Sequence, residues 1–180
     1  MRIDNKTAIH RYGKALFELT EDNGKTEEVL AELGQIKKAV LAEPELMVFL
    51  KSAQISGQAK KEALGNLTKD ASQITKNLID MLYDYGRISC LVDVIDEFNR
   101  LIDESNKTVR ANVQTAVELD DDQKQRLASS FANVVGADKV ILNTTIDPSI
   151  IGGVIVTANN TVYDGSLKTK LASIKRLLLK

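Results

Sequence analysis

The sequence contains one cysteine, one histidine and no tryptophan in 180 residues. Cys90 cannot form an intrachain disulfide, and a thiolate zinc site needs several cysteines, so we expect Cys90 to pack in a core. His10 alone cannot supply a catalytic triad or a histidine-rich metal site, so we expect a surface or interface role for it. The sequence therefore predicts no catalytic residue, no metal and no cofactor.

Long apolar runs and an excess of charge are also missing. No apolar run approaches the roughly 20 residues that cross a bilayer, and Met1 leads at once into a polar segment. We therefore expect a cytoplasmic protein that reaches a membrane only through partners. The 24 basic and 25 acidic residues nearly cancel, which disfavours nucleic acid as a partner. Residues 1–105 contain 14 basic and 18 acidic side chains, whereas residues 106–180 contain 10 and 7, so the two parts should attract different partners.

Residues 1–105 have the apolar spacing of successive helices. Asn23-Gly24, Pro44 and Gly86 are typical helix ends, and Thr26 is a candidate cap for the second helix. Six helices with short connections indicate a compact bundle. The first helix is expected to bury Ala8, Tyr12, Ala15 and Leu19, with Ile9 and Leu16 widening the stripe. The second is expected to bury Val29, Leu33, Ile36 and Val40, and the fifth Ile74, Leu78, Met81, Leu82 and Tyr85.

At Asn106 the apolar period changes from near 3.6 to 2, which predicts a boundary between domains 1–105 and 106–180. Asp120 and Gln123 resemble a capping box that opens a helix expected to bury Leu127, Phe131 and Val134. Asn159-Asn160 is typical of a two-residue hairpin turn. Alternating segments at 109–117, 140–146, 154–158 and 162–163 predict a mixed sheet with two helices. The last helix, capped by Asp164, is expected to bury Leu167, Leu171, Ile174 and Leu178. The predicted fold class is α+β, a six-helix bundle followed by a small sheet domain.

Three features resemble sites for small ligands but have simpler interpretations. Gly152-Gly153 precedes a strand and lacks the Gly-Lys-Ser/Thr of a phosphate loop, so it should permit a close backbone approach or a bulge. Consecutive carboxylates at 120–122 favour helix capping over metal binding. The basic side of the last helix, which comprises Lys168, Lys170, Lys175, Arg176 and Lys180, suits either phosphates or an acidic partner helix.

Four residues on two helices suggest a groove for a partner. Tyr12 and Ala15 on the first helix and Leu78 and Met81 on the fifth combine an aromatic ring, a small side chain and a flexible thioether on apolar faces. Such a mixture can line a groove for an amphipathic helix. Core packing within the bundle is the alternative, and for any one of these residues it is the simpler interpretation.

Four segments resemble one known family. They are Ile146-Asp-Pro-Ser-Ile-Ile-Gly-Gly-Val154, Val162-Tyr-Asp-Gly-Ser166, Arg11-Tyr-Gly-Lys-Ala-Leu-Phe17, and the stretch from Asn77-Leu78 to Tyr85-Gly-Arg-Ile88. The sequence resembles the delta subunit of F-type ATP synthases, which in mitochondria is the oligomycin-sensitivity-conferring protein. Gly13 stands where the family usually has alanine, and Lys168 and Lys170 stand where arginine is common.

The resemblance implies a non-catalytic stator subunit at the cytoplasmic face of the bacterial cell membrane. Such a subunit links the catalytic head to the b-subunit stalk, so that rotor torque is resisted during proton-driven ATP synthesis. Tyr12, Ala15, Leu78 and Met81 would bind N-terminal helices of alpha subunits. The residues Gly152, Gly153, Asp164 and Leu171 match the signature of the domain that contacts the C-terminal ends of b subunits. The alternative is a regulatory adaptor whose basic last helix binds RNA or an acidic protein.

Overall fold

The computed structural model describes residues 4–178, and Lys180 of the predicted basic face lies outside that range. The chain divides into two compact units, Met1–Ile102 and Asp103–Lys180. Helices make up the described part of the first unit, and the second contains a four-stranded mixed sheet with helices. The predicted α+β class is therefore confirmed.

The first unit consists of helices separated at the predicted positions. Gly24 and Gly86 adopt left-handed backbone conformations, with φ of 63° and 66°, directly beyond the helices they follow. Pro44 is the first residue of its helix, where its missing N–H is not needed. The helices are α1 (Asn5–Asp22), α2 (Thr26–Ala42), α3 (Pro44–Lys51), α4 (Gly57–Leu67), α5 (Gln73–Asp84) and α6 (Leu91–Ser105), with a 3-10 turn at Ile88–Cys90. Their arrangement as a bundle stays a prediction.

The core of the first unit is a single apolar cluster to which all six helices contribute. The predicted face of α2 is buried in full, and Phe98 of α6 is completely buried. The buried members are Leu16, Val29, Leu33, Ile36, Val40, Leu50, Leu64, Leu78, Ile79, Leu82, Ile88, Cys90, Leu91, Val94, Ile95, Phe98 and Ile102.

The buried faces of α1 and α5 differ from the predicted ones. On α1, Ala15 and Leu19 are exposed. On α5, Met81 is 36% exposed and Tyr85 is 70% exposed. The buried positions are Ala8, Gly13, Leu16 and Thr20 on α1, and Thr75, Leu78, Ile79 and Leu82 on α5. Glycine and threonine were missed because apolar spacing alone does not identify small or internally hydrogen-bonded residues as core positions.

A carboxylate on α2 caps the beginning of α5. Glu32 accepts hydrogen bonds from Ser72 N at 2.7 Å, from Ser72 Oγ at 2.8 Å and from Thr75 Oγ1 at 2.6 Å. Burial raises the pKa of Glu32, but the hydrogen bonds from Thr75 and Ser72 outweigh it and lower the pKa. Thr26, the predicted cap of α2, is instead its first helical residue. Glu32 thus joins two helices that are far apart in sequence.

Gly13 allows α1 to pack closely against α6. A Cβ atom at this position would lie 2.7 Å from Cγ of Glu97, 3.0 Å from its Cβ and 3.4 Å from the backbone nitrogen of Phe98. Atoms near a helix backbone cannot swing away as the end of a long side chain can. Glycine in place of the family's usual alanine therefore allows α1 and α6 to come this close.

The second unit has strands in the order β2-β1-β3-β4. Strand β1 pairs in parallel with β2 and antiparallel with β3, and β3 pairs antiparallel with β4. Asn159 and Asn160 form the predicted turn with φ of 48° and 61°. The elements are β1 (Thr108–Thr115), α7 (Asp121–Val135), β2 (Lys139–Ile146), a 3-10 turn (Pro148–Ile150), β3 (Val154–Ala158), β4 (Thr161–Asp164) and α8 (Leu167–Leu178).

Helix α7 completes a small core against the sheet. Its predicted capping box is present, since Asp120 Oδ1 accepts from Gln123 N at 2.7 Å and Gln123 Oε1 accepts from Asp120 N at 3.2 Å. Phe131 is buried and meets the ring of Tyr163 edge-on, with centroids 5.2 Å apart. Val134, which was expected inside, is exposed. The buried cluster consists of Ala111, Val113, Phe131, Val156 and Ala158.

Gly13→Ala should destabilise the first unit although alanine favours a helix. The added methyl group must displace Glu97, and such overpacking should lower the free energy of unfolding by about 1–2 kcal/mol. Gly34→Ala is the matched control because a Cβ there meets no atom within 4 Å. That variant should gain up to about 1 kcal/mol from helix propensity. Urea unfolding followed by circular dichroism measures both, and equal stabilisation by the two variants would contradict the close packing.

Candidate partner-binding surfaces

The first unit exposes an apolar face on each of two helices. The α1 face consists of Tyr12, Ala15 and Leu19, which lie three and four positions apart and so share one side of the helix. The α5 face consists of Met81 and Tyr85, one turn apart at the helix end. Tyr12 is half-buried, and the other four side chains are exposed. Three of the four predicted groove residues thus belong to these faces.

Leu78, the fourth predicted groove residue, is a core residue in the isolated chain. Its side chain is buried in the main apolar cluster. It lies three residues before Met81 on the same helix and is 4% exposed, so it presents almost no surface of its own. The groove assignment for all four residues stays a proposal.

Arg87 connects Tyr12 with the turn that follows α5. Its Nη1 donates a hydrogen bond to the hydroxyl of Tyr12 at 3.1 Å, and its guanidinium carbon lies 5.8 Å from the centre of the ring. A cation near an aromatic ring and a hydrogen bond to its hydroxyl together restrict the ring orientation. The sequence places Arg87 directly after Gly86, in the turn that ends the helix, but this position alone does not predict its contact with Tyr12.

His10 contributes to an ionic cluster between α1 and α6. Its Nδ1 lies 2.7 Å from Oε1 of Glu97, and the Nε and Nη2 of Arg100 donate to Glu97 at 2.8 and 2.9 Å. The hydrogen bond from Arg100, which outweighs burial, and the contact with His10 lower the pKa of Glu97 to about 2. The predicted surface role of His10 is thus a structural contact, and Glu97 was not foreseen because no local pattern identifies its distant partners.

Gly152 and Gly153 form a tight junction between β3 and the beginning of α8. Gly153 has φ of 79°, and a Cβ there would overlap the carbonyl oxygen of Gly165 and lie 3.2 Å from Cα of Ser166. A Cβ on Gly152 would lie 2.9 Å from Cδ1 of Leu167. The carbonyl of Gly152 accepts from Leu167 N at 2.9 Å. The predicted close approach is therefore present, and it positions the first turn of α8.

Asp164 stabilises the same junction from the other side. Its Oδ1 accepts from Ser166 N at 2.9 Å, and its Oδ2 accepts from Thr169 Oγ1 at 2.7 Å. The backbone hydrogen bond of Ser166, followed by that from Thr169, lowers the pKa of Asp164. The cap itself is Ser166, whose Oγ accepts from Thr169 N at 3.2 Å, so the prediction of Asp164 as the cap was wrong by two residues. Three of the four signature residues meet here.

Leu171, the fourth signature residue, lies on a helix that buries none of its side chains. The prediction that α8 buries four apolar residues is wrong, because all four lie on an exposed side of the helix. We define the α8 face as the apolar residues on this side of the helix. Their exposure ranges from 45% for Leu167 to 81% for Leu178. The members are Leu167, Leu171, Ile174, Leu177 and Leu178.

Lysines lie along one edge of the α8 face and within it. At 100° per residue, Lys168 and Lys175 lie along one edge, and Lys170 lies between Ile174 and Leu177. No ion pair within residues 4–178 involves these side chains or Arg176. An exposed apolar stripe beside lysines is typical of a surface for an amphipathic helix with acidic edges.

Other chemistry has little support in the described structure. Between residues 4 and 178, no three His, Cys, Asp or Glu side chains are grouped so that they could hold a metal ion. Cys90 is buried in the core of the first unit. None of the described helices is long and apolar enough to cross a membrane. Exposed apolar faces on both units define the class of an interaction subunit.

Comparison with known proteins identifies the family. The family model described as ATP synthase delta (OSCP) subunit matches residues 9–178. The chain is 58% identical over 180 residues to ATP synthase subunit delta of Ligilactobacillus salivarius, covering all of both chains. It is 44% identical over 179 residues to that of Lactiplantibacillus plantarum, covering 99% of each. The chain belongs to the ATP synthase delta (OSCP) subunit family, whose members are peripheral stalk components of F-type ATP synthases.

The fold has a counterpart among solved structures. A chain in a cryo-EM structure of the Toxoplasma gondii mitochondrial ATP synthase hexamer matches with a TM-score of 0.69 at 22% identity. The match covers 96% of this chain and 97% of the other, so it supports the fold over nearly the full length. The resemblance inferred from sequence motifs is confirmed, which favours the stator interpretation over that of a regulatory adaptor.

Glu97 should make the stability of the first unit sensitive to acid. Folding lowers the pKa of Glu97. The ionised carboxylate therefore contributes its full share of the free energy of unfolding above a pH of about 4.5, and this share is lost as the pH falls towards about 2. Glu97→Gln should therefore lose less stability than the wild type between about pH 6 and about pH 3. Urea unfolding at both pH values measures the difference. Glu18→Gln, which removes an exposed ion pair with Lys14, is the control and should behave like the wild type.

Gly153→Ala should disrupt the junction that holds α8. The new Cβ overlaps the backbone of Gly165 and favours negative φ, so we expect a loss of about 3 kcal/mol in the free energy of unfolding of the second unit. Gly136→Ala is the control, because Gly136 also has a positive φ of 67° but open space around it. That variant should lose about 1 kcal/mol. Hydrogen exchange of the β3 and β4 amides measures the free energy of unfolding of both variants. An equal decrease in the two would contradict a role for the close approach of Gly153 to Gly165.

Proposed function

We propose that this chain connects the catalytic head of an F-type ATP synthase to its peripheral stalk without a catalytic step of its own. The first unit binds N-terminal helices of alpha subunits, and the second binds the C-terminal ends of b subunits. The observation that carries the proposal is the presence of separate exposed apolar faces on two compact units. A chain with one face on each unit can bridge two partners, and linked sites reinforce one another through effective concentration.

The α1 and α5 faces are the proposed binding site for an alpha-subunit helix. Tyr12 offers a ring whose orientation is restricted by Arg87, and Met81 offers a flexible thioether that adapts to an apolar partner. Ala15 leaves space for a close backbone approach. Leu78, three residues before Met81, anchors α5 in the core of the first unit. A helix in such a site is held by buried apolar area, so it can resist torque without a covalent link.

The α8 face is the proposed site for the stalk. The junction of Gly152, Gly153 and Asp164 fixes the beginning of the helix, and Leu171 lies in the middle of its apolar stripe. Flanking lysines supply the charge complement for acidic residues at the edges of the partner. The place of action is the cytoplasmic face of the bacterial cell membrane, where the chain is held only through the complex.

The adaptor alternative differs in how it depends on salt. Binding of RNA by the lysines of α8 would weaken steeply as the salt concentration rises, because counterions are released from the phosphates. A partner helix on the α8 face would be held mainly by apolar contact and would respond weakly. RNA binding at physiological salt, abolished by Lys170→Gln and Lys175→Gln but unaffected by the uncharged substitution Leu171→Asn, would favour the adaptor.

The alpha-subunit site is tested by titrating the full chain with a synthetic N-terminal helix of an ATP synthase alpha subunit. Met81→Asp should weaken binding at least about tenfold, because a carboxylate would have to lose its hydration in an apolar contact. Tyr12→Ala should also weaken it by removing the ring. Calorimetry measures the affinities, and circular dichroism verifies that the variants fold.

The control for this titration is Val48→Asp. Val48 is an exposed apolar residue on α3 of the same unit, so the substitution adds the same charge away from the proposed site. It should bind the peptide as the wild type does. An absence of saturable binding, or wild-type affinity in Met81→Asp, would remove the assignment of this site.

A further inference from the structure

Ile151 adopts a backbone conformation that β-branched residues rarely adopt. Its φ is 70° and its ψ is −41°, directly after the 3-10 turn at Pro148–Ile150. Asn159 and Asn160 also have positive φ, but their hairpin turn requires it and asparagine tolerates it. A branched side chain at positive φ is strained, and such strain persists only where the surroundings impose it.

The residues on either side of Ile151 impose this conformation. Ile150 is buried, and Ile151 N donates to the carbonyl of Pro148 at 3.1 Å. On the other side, the carbonyl of Gly152 accepts from Leu167 N at 2.9 Å. Ile151 is therefore held between a closed turn and the beginning of α8.

The strain is not offset by burial in the isolated chain. The Ile151 side chain is 61% exposed, so it gains little from the hydrophobic effect. Glycine would adopt the same backbone conformation without a Cβ penalty. An isoleucine that is both strained and exposed is thus unfavourable for the free chain, and a contact made only in a complex would account for it.

The position of Ile151 places this contact beside the α8 face. The next residue, Gly152, approaches Leu167 so closely that a Cβ on it would lie 2.9 Å from Cδ1 of the leucine. The 3-10 turn before Ile151 also contacts α8. The exposed side chain of Ile151 thus belongs to the residue next to this contact, at the end of α8 where Leu167 begins the stripe.

We propose that Ile151 and the α8 face form one docking surface, on which a strained turn holds an isoleucine ready for an amphipathic helix with acidic edges. This inference rests on the proposed function, in which the C-terminal end of a b subunit occupies the α8 face. Lys168, Lys170 and Lys175 supply the charge complement to that partner. Ile151 is then a positioning residue that fixes where the end of the partner helix lies.

The test uses the full chain and a fluorescent peptide from the C-terminal end of an ATP synthase b subunit. Ile151→Ala and Ile151→Gly should each weaken binding about tenfold, because each removes an apolar side chain that the partner buries. Val134→Ala is the matched control, since Val134 is an exposed β-branched residue on α7 with ordinary helical backbone. It should bind like the wild type. Fluorescence polarisation measures the affinities.

Thermal unfolding separates backbone strain from loss of the side chain. Ile151→Gly should melt at a higher temperature than Ile151→Ala, because glycine relieves the strained φ whereas alanine retains it. This order is the reverse of the usual effect of glycine, which increases the entropy of the unfolded chain. A lower melting temperature for Ile151→Gly than for Ile151→Ala would overturn the strained docking turn.

Leu171→Asp distinguishes this inference from the function on which it rests. If Leu171→Asp abolishes peptide binding while both Ile151 variants bind as the wild type does, Ile151 has no part in docking and the stalk site stands. If the wild type does not bind the peptide, or Leu171→Asp binds it unchanged, the proposed stalk site is wrong and the role of Ile151 is wrong with it. Loss of affinity in all three variants, with Val134→Ala unaffected, is the expected result.

Discussion

The close approach of Gly153 to Gly165 is the constraint on which the second unit's exposed helix depends. Because α8 buries none of its side chains, an apolar core does not hold it in place. It is fixed at its beginning by the backbone contact of the two glycines, by the Leu167–Gly152 hydrogen bond and by the carboxylate of Asp164. A helix held at one end can keep its whole apolar side available for a partner.

The helices of the first unit share an apolar core, but such a core alone does not fix their relative positions. Two carboxylates connect helices and so help to fix these positions. Glu32 on α2 accepts three hydrogen bonds at the beginning of α5, and Glu97 on α6 pairs with His10 on α1. Hydrogen bonds to charged groups depend on direction, whereas apolar contacts do not. These pairs therefore align the helices that bear the α1 and α5 faces, which is what a rigid surface for a partner requires.

The sequence predicted most elements of the fold because their signals are local. The capping box at Asp120, the turn at Asn159-Asn160 and the left-handed glycine at position 86 each depend on a few neighbouring residues, and all are present. The predicted caps Thr26 and Asp164 were wrong by one and by two residues, and the other predictions that failed concern which side of a helix is covered. Ala15 and Leu19 were expected inside α1, and Gly13 and Thr20 lie there instead. Apolar spacing locates a helix well, but the choice between adjacent stripes depends on the shape of the neighbouring helix.

In the candidate surfaces, too, the features that depend on a short stretch of chain were predicted, and those that depend on tertiary contacts were not. Motifs in the sequence identified the family and the residues of the junction, since Gly152, Gly153 and Asp164 act within a short stretch of chain. Only the tertiary structure decided that Leu78 is in the core, that Leu171 is exposed, and that Arg87 and Glu97 have partners on α1. The capping box at Asp120 and the positive φ values at Gly86 and Asn159-Asn160 are set by neighbours in sequence, so the sequence alone determined them. Exposure and long-range pairing are set by what folds against a residue, so they required the structure.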